Sequence, residues 1–165
     1  MVICIGKSLI IGGLFIKEKN MINSFENENE FLSNFYPSLI SDGTTIFPTV
    51  EHYFQASKTS SLTEYAAIAA APSPGKAKRL GRKCSLRLDW EEVKDKVMYE
   101  ALQKKFSIPE LKEKLLNTGN EELEEGNWWH DNYWGNCHCI RCNNIQGKNM
   151  LGKILMKLRE ELREE

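Results

Sequence analysis

The sequence predicts a mainly α fold of the α+β class, a compact helical domain with a small antiparallel β-sheet near the N-terminus. Three observations carry that expectation. Helix start and stop signals punctuate the chain after Pro48, and short apolar runs alternate with turn formers before it. The length, 165 residues, suffices for one domain core but not comfortably for two.

Residues 1–20 read as an N-terminal extension, or an upstream start, without a catalytic part. The run "SLIIGGLFI" between Lys7 and Lys17 is too short to span a bilayer and lacks the small-x-small cleavage site of a signal peptide. Gly6-Lys7-Ser8 fails as a phosphate loop, because Met1 stands where the motif needs its first glycine. A single domain is expected over 21–165. Its first part, "INSF", "FLSNFYPSLI" and "DGTTIF", reads as short strands with Asp42-Gly43 as a hairpin turn. Thr49 then opens a helix to about Thr59. Ser61 with Glu64 forms a capping box for an alanine-rich helix stopped by Pro72. Ser73-Pro74 opens the helix of "GKAKRLGRK". Asp89 with Glu92 caps the next, where Val93, Val97 and Ala101 form a stripe beside Met98 and Leu102. Pro109 and Gly119 bracket "ELKEKLLNT". The last helix, about Asn149 to Arg163, carries Leu151, Ile154, Leu155, Leu158 and Leu162 at helical spacing.

Composition narrows the function. An apolar fraction of 41% with 27% charged residues is that of a folded protein. A net charge of -1 gives no whole-molecule field toward nucleic acid or membrane, so any anion site must be local. Five cysteines, Cys4, Cys84 and a cluster at Cys137, Cys139 and Cys142, do not make an even disulfide framework. Reduced thiols and a cytoplasmic location are expected.

Three stretches carry chemistry. In "TVEHYFQASK", Glu51, Gln55 and Lys58 fall on one narrow helical stripe. That stripe is either a solvated face or a pocket wall with a carboxylate, an amide and an amine suited to glycosidic chemistry; spacing alone does not choose. In "SPGKAKRLGRK", Lys76, Lys78, Arg79, Arg82 and Lys83 follow a helix start, which offers free N–H groups to a phosphate but equally suits a surface helix. The charge is too local for an extended nucleic-acid surface. In "NWWHDNYWGNCHCIRC", Trp128, Trp129 and Trp134 surround Asp131, as core packing or as a stacking wall beside an acid/base carboxyl. Cys137-x-Cys139-x-x-Cys142 has metal-ligand character, with the fourth ligand open among His130, His138 and Cys84. A structural zinc fits the spacing; a catalytic zinc motif is absent.

Taken in order, "FLSNFYPS", "TVEHYFQASK", "SPGKAKRLGR", "DWEEVKDKVMYEALQKKF", "DNYWG" and "GKNMLGKILMKLRE" resemble the NADAR, or YbiA-like, family over about Ile22 to Glu160. The resemblance implies a mainly helical fold and N-glycosidase activity without a metal or other cofactor. The implied substrates share a ribose C1–N bond, a heterocycle and a phosphate. The phosphorylated ribosylamine intermediates of riboflavin biosynthesis are favoured, and ADP-ribosylated guanine, in DNA or nucleotides, is the alternative. Position by position it implies Glu51, Lys58 and Asp131 as catalytic groups, with Lys58 as nucleophile or Schiff-base former and the two carboxylates sharing proton transfer. It implies Asn34, Gln55 and Arg79 as substrate contacts, Trp90 and Trp134 as stacking faces, and "SPGKAKR", with Lys76, as the phosphate contact. Family members often lack the cysteine segment, which makes it a local structural insertion. The rival from another class is a non-catalytic module that binds ADP-ribose-like ligands.

Overall fold

Turn chemistry, more than strand length, shapes the N-terminal part of the chain. The computed structural model describes residues 20–165 in full and the backbone of 3–5, 8–11 and 14–17. There β1 (Ile3–Ile5), β2 (Ser8–Ile11) and β3 (Leu14–Lys17) pair antiparallel; the rest of the expected extension lies outside the described residues. β4 (Met21–Ile22) leads into a 3-10 helix, Asn27–Leu32, that buries Phe31 and Leu32. Then β5 (Ile40–Ser41) and β6 (Ile46–Phe47) form the expected hairpin. Asp42 Oδ1 accepts the backbone N–H groups of Thr44 and Thr45 at 2.8 and 2.7 Å, and Gly43 takes a φ of 101° that side-chain-bearing residues resist.

The fold class is α+β as expected, but the small sheet is dispersed. β4 pairs in parallel with β7 (Glu122–Leu123), and β8 (Gly126–Asn127) pairs in parallel with β9 (Asn136–Cys137). The partner of Met21 lies far along the chain, so local pattern cannot announce it.

Among the described residues six α-helices make the body. α1 (Val50–Ala56) begins where Thr49 Oγ1 accepts the His52 N–H, and α2 (Leu62–Ala69) where Ser61 Oγ accepts that of Glu64. α3 (Pro74–Gly81) has Ser73 as its cap and Pro74 in its first turn. α4 (Trp90–Phe106) starts after Asp89, whose carboxylate does not cap as expected. Arg87 takes both of its oxygens at 2.6 and 2.8 Å, a two-point charged pair that competes successfully with the cap. α5 (Pro109–Asn117) and α6 (Met150–Glu164) complete the set. α1 packs on α2, α3 and α4, while α4, α5 and α6 pack on one another, so α1 and α4 join the two halves. Met98, Ala101 and Leu102 of α4 and Leu151, Ile154, Leu155 and Leu158 of α6 enter one core, as their spacing predicts. No helix among the described residues is long and apolar enough to cross a membrane.

α1 and α3 approach tightly at Gly81, where an added Cβ would stand 2.1 Å from Gln55 Oε1 and 2.9 Å from Gln55 Cβ. At Gly75, on the same helix, an added Cβ meets nothing within 4 Å. Gly81→Ala is therefore expected to lower unfolding free energy by about 1–3 kcal/mol through overpacking. Gly75→Ala is expected to be neutral or stabilising by up to about 1 kcal/mol. Urea titration of both variants checks the contrast.

Candidate active site

Seven residues form α1 and all seven are buried, Glu51, His52 and Gln55 among them. Of the stripe read as either solvated or pocket-facing, Glu51 and Gln55 are thus buried, while Lys58, just past the helix, is half-buried. His52 is held between Thr49 Oγ1 at 2.8 Å and Ala71 O at 3.0 Å, a structural use of the ring. Gln55 Nε2 donates to Glu51 Oε1 at 2.8 Å. The Glu51 N–H donates to Asn34 O at 3.0 Å and so ties the helix start to the 33–35 turn. The other side of that turn is fixed from α4, where the fully buried Lys105 donates from Nζ to Ser33 O at 2.7 Å. Burial brings the Lys105 ammonium down to about 7.

These groups open on a cavity of about 480 Å³, within the usual range for small-molecule sites. Asn34, Glu51, Phe54, Gln55 and Lys58 form one side of it, and Lys78 and Arg82 of α3 add two cations. Glu125, Trp129, Asp131 and Trp134 also line it. Phe54 packs between Trp90 and Trp134, with ring centroids at 5.0 and 5.2 Å. The wall from 124 to 134 owes its shape to two side chains. Asn127, fully buried, accepts the N–H groups of Trp129 and Asp131 on Oδ1 at 3.3 and 3.1 Å and donates from Nδ2 to Asp131 O at 2.7 Å. Asp131 Oδ1 in turn accepts the N–H groups of Tyr133 and Trp134 at 3.0 and 2.9 Å.

The electrostatics separate the three carboxyls and three cations. Burial pushes the Glu51 carboxyl up, opposed by Lys78, the Gln55 hydrogen bond, Lys58 and Arg82. Burial also pushes Glu125 up, to about 8, reinforced by the negative charges of Asp131 and Glu51 and opposed by Lys78. Lys58 is brought down by burial, with Glu51 opposing; its Nζ stands 5.4 Å from the Phe54 ring centroid and 5.7 Å from that of Trp90. A neutral acid, an amine inclined to be free and a buried carboxyl in one small cavity suit proton transfer at a leaving group and attack at an electrophilic carbon. Gln55 Oε1 and Asn34 Oδ1 are buried and have no hydrogen-bond partner among the described residues. Both residues line the cavity, so a ligand's O–H or N–H groups can satisfy them.

A NADAR domain family model matches residues 14–163 of this sequence. The chain belongs to the NADAR family. It is 45% identical over 138 residues to an N-glycosidase of Nostoc punctiforme, covering 79% of this chain and 84% of that one. It is 39% identical to the N-glycosidase YbiA of Escherichia coli over 154 residues, covering 89% and 91%. The NMR structure of E. coli YbiA superposes with a TM-score of 0.77, covering 90% of this chain and 88% of that one at 37% identity. A riboflavin biosynthesis protein of Vibrio vulnificus is 36% identical over 143 residues, 84% of this chain but 37% of the longer relative. The enzyme class expected from the sequence, N-glycosyl hydrolase, is that of these full-length relatives and of this NADAR domain.

The structure brings Asn34, Glu51, Gln55, Lys58, Asp131 and Trp134 of the expected site residues to the cavity. It does not bring Lys76, Arg79 or Trp90 to its lining. Lys76 and Arg79 are exposed on α3, and Lys78 with Arg82, four residues apart, occupy the cavity face instead. The helix start is therefore not the cavity's anion-facing part. Trp90 is 5% exposed and packs behind Phe54 as core. Trp128 and Trp129 are exposed, so the core reading fails for both. Sequence reasoning missed Glu125, because "NEELEEGN" looks like a solvated acidic turn. Its environment is tertiary: Asn149 Oδ1 accepts the Glu125 N–H at 3.1 Å across 24 positions.

Cys137, Cys139 and Cys142 converge with His130, all four potential ligand atoms lying within 4.8 Å of one another. His138, one of the other candidates, pairs with Glu124 at 2.9 Å instead.

Glu125 sets a pH dependence. Between about 4.5 and about 8 its carboxyl is protonated in the folded chain and ionised in the unfolded one. The native state then holds the extra proton, so stability falls as pH rises through that window. Urea unfolding at intervals from pH 5 to pH 8 is expected to show a shallower fall for Glu125→Gln than for the wild type.

Proposed function

We propose that the protein hydrolyses the ribose C1–N bond of a phosphorylated ribosyl heterocycle, with riboflavin-pathway ribosylamine intermediates as the substrate and no metal in the chemistry. The observation that carries this reading is the juxtaposition, in one cavity, of Glu51 from the buried helix α1 and Lys58 from the turn after it with Glu125 and two cations. The NADAR relative named for riboflavin biosynthesis supports the substrate class.

In this reading Lys58 attacks C1 as a free amine. The C1–N bond to the heterocycle breaks, the departing nitrogen takes the Glu125 proton, and Glu51 takes the proton shed by the new C1–N linkage. Water then adds to C1, giving its proton to the Glu125 carboxylate. Lys58 leaves with the proton from Glu51, and every group returns to its starting state. Lys78 and Arg82 face the phosphate; among the described residues neither is held by a direct ion pair. Asp131 adds a negative charge that keeps the Glu125 proton in place. Trp134 offers the heterocycle a ring face. Asn34 Oδ1 and Gln55 Oε1 accept from sugar hydroxyls.

The test is incubation of the purified protein with a ribosylaminopyrimidine phosphate and, separately, with ADP-ribosylated guanosine, following released heterocycle and sugar phosphate. Faster turnover of the first is expected, and hydrolysis of neither would overturn the reading. Lys58→Ala and Glu51→Gln are each expected to lower kcat by about 10²-fold or more. The Lys58–C1 linkage opens to an imine when the C1–ring-oxygen bond breaks and the ring oxygen takes the linkage proton, and borohydride during turnover is expected to reduce that imine and so trap the sugar on Lys58, detected by mass spectrometry. Activity is expected to decline as pH rises through about 8, where Glu125 loses its proton.

A further inference from the structure

The geometry points to a structural zinc site formed by Cys137, Cys139, Cys142 and His130, whose metal holds the cavity wall from outside. The donor set is three thiols and one imidazole, with ligand atoms gathered within 4.8 Å of one another. His130 Nδ1 lies 3.2 Å from Cys139 Sγ and 3.4 Å from Cys142 Sγ. Tetrahedral zinc with a Zn–S distance of about 2.3 Å separates its ligands by about 3.8 Å, between the 3.2 Å of the His130–Cys139 contact and the 4.8 Å that bounds the cluster. All three cysteines are free thiols, and an odd set of three cannot close on itself by disulfides.

The local backbone is built for the same convergence. Asn132 Oδ1 accepts the Cys137 N–H at 2.9 Å at the end of β9. A 3-10 turn, Ile140–Cys142, carries Cys142 back toward Cys139, and the Cys142 N–H donates to Cys139 O at 2.9 Å. His130 takes a φ of 68°, a left-handed conformation that a side-chain-bearing residue adopts at a cost. That conformation places its ring with the cysteines, while its two neighbours, Trp129 and Asp131, line the cavity. Metal ligation would offset the strained turn, and four donors close a structural site with no position left for substrate or water. On binding, the three thiols lose their protons to solvent and His130 ligates as the neutral ring. Zinc thereby cross-links the turn after β8 to the segment after β9 and fixes the placement of Trp129 and Asp131. This linkage does not depend on which glycoside the cavity takes.

The test uses the full chain purified under reducing conditions. Elemental analysis is expected to find one zinc per chain, lost in Cys139→Ser and in the Cys137→Ser, Cys142→Ser pair. Cobalt added to the metal-free protein is expected to give the thiolate charge-transfer and tetrahedral visible bands, and His130→Ala is expected to lose the tetrahedral visible spectrum. Circular dichroism confirms that the helices persist in each variant. Removal of zinc is expected to shift tryptophan fluorescence and lower the melting temperature, and re-addition of zinc or cobalt is expected to restore both. Metal-free wild type that takes up neither zinc nor cobalt would overturn the proposal. So would uptake by the cysteine variants equal to that of the wild type. The metal readouts do not use substrate, so they fail or succeed separately from the proposed hydrolysis.

Discussion

A helix with no solvent side governs this structure. α1 is short, wholly buried and rich in polar side chains, and each polar group must find a partner or meet the cavity. His52 is satisfied by its own cap residue and by the carbonyl of Ala71 beyond α2, so the helix cannot form its full set of bonds until α2 has docked. Glu51 is placed by Asn34 through the backbone and by Gln55 through the side chain. Gly81 lets α3 come close enough to enclose that amide. Burial of a carboxyl is unfavourable, and its consequence is visible in the raised affinity of Glu51 for a proton.

The second consequence of the same packing is an unusual charge balance. Three carboxyls and three cations share the lining of the cavity. Glu125 is kept neutral by its burial and its acidic neighbours, and Lys58 is pushed the same way by burial. The opposing charges of Lys78 and Arg82 temper Glu51 without touching it.

Much of this was legible in the chain. The caps at Thr49, Ser61 and Ser73 stand where their hydroxyls and following residues placed them, since each acts within one helical turn. The hairpin at Asp42-Gly43 is equally local. Asp89 was misread because its competitor, Arg87, lies outside the capping pattern. The parallel pairings of Met21–Ile22 and Gly126–Asn127 are two residues long and carry no alternation to detect. At the site, periodicity found Glu51, Gln55 and Lys58 but could not say whether their stripe was wet. On α3 a dense basic run hid which pair faced inward: Lys78 and Arg82 do, Lys76 and Arg79 do not. Glu125 had no signal at all, because its surroundings are supplied by Asn149, Asp131 and Glu51 through the fold.

Asp131 has two roles. Oδ1 is committed to the backbone of Tyr133 and Trp134 and gives the turn its shape. The residue also lines the cavity, where its negative charge adds to the effect of burial in raising Glu125. An asparagine would preserve the first role, since its carbonyl accepts the same two N–H groups, and would erase the negative charge. The shape of the turn and the charge felt by Glu125 thus hang on one side chain, and a single substitution can edit them apart.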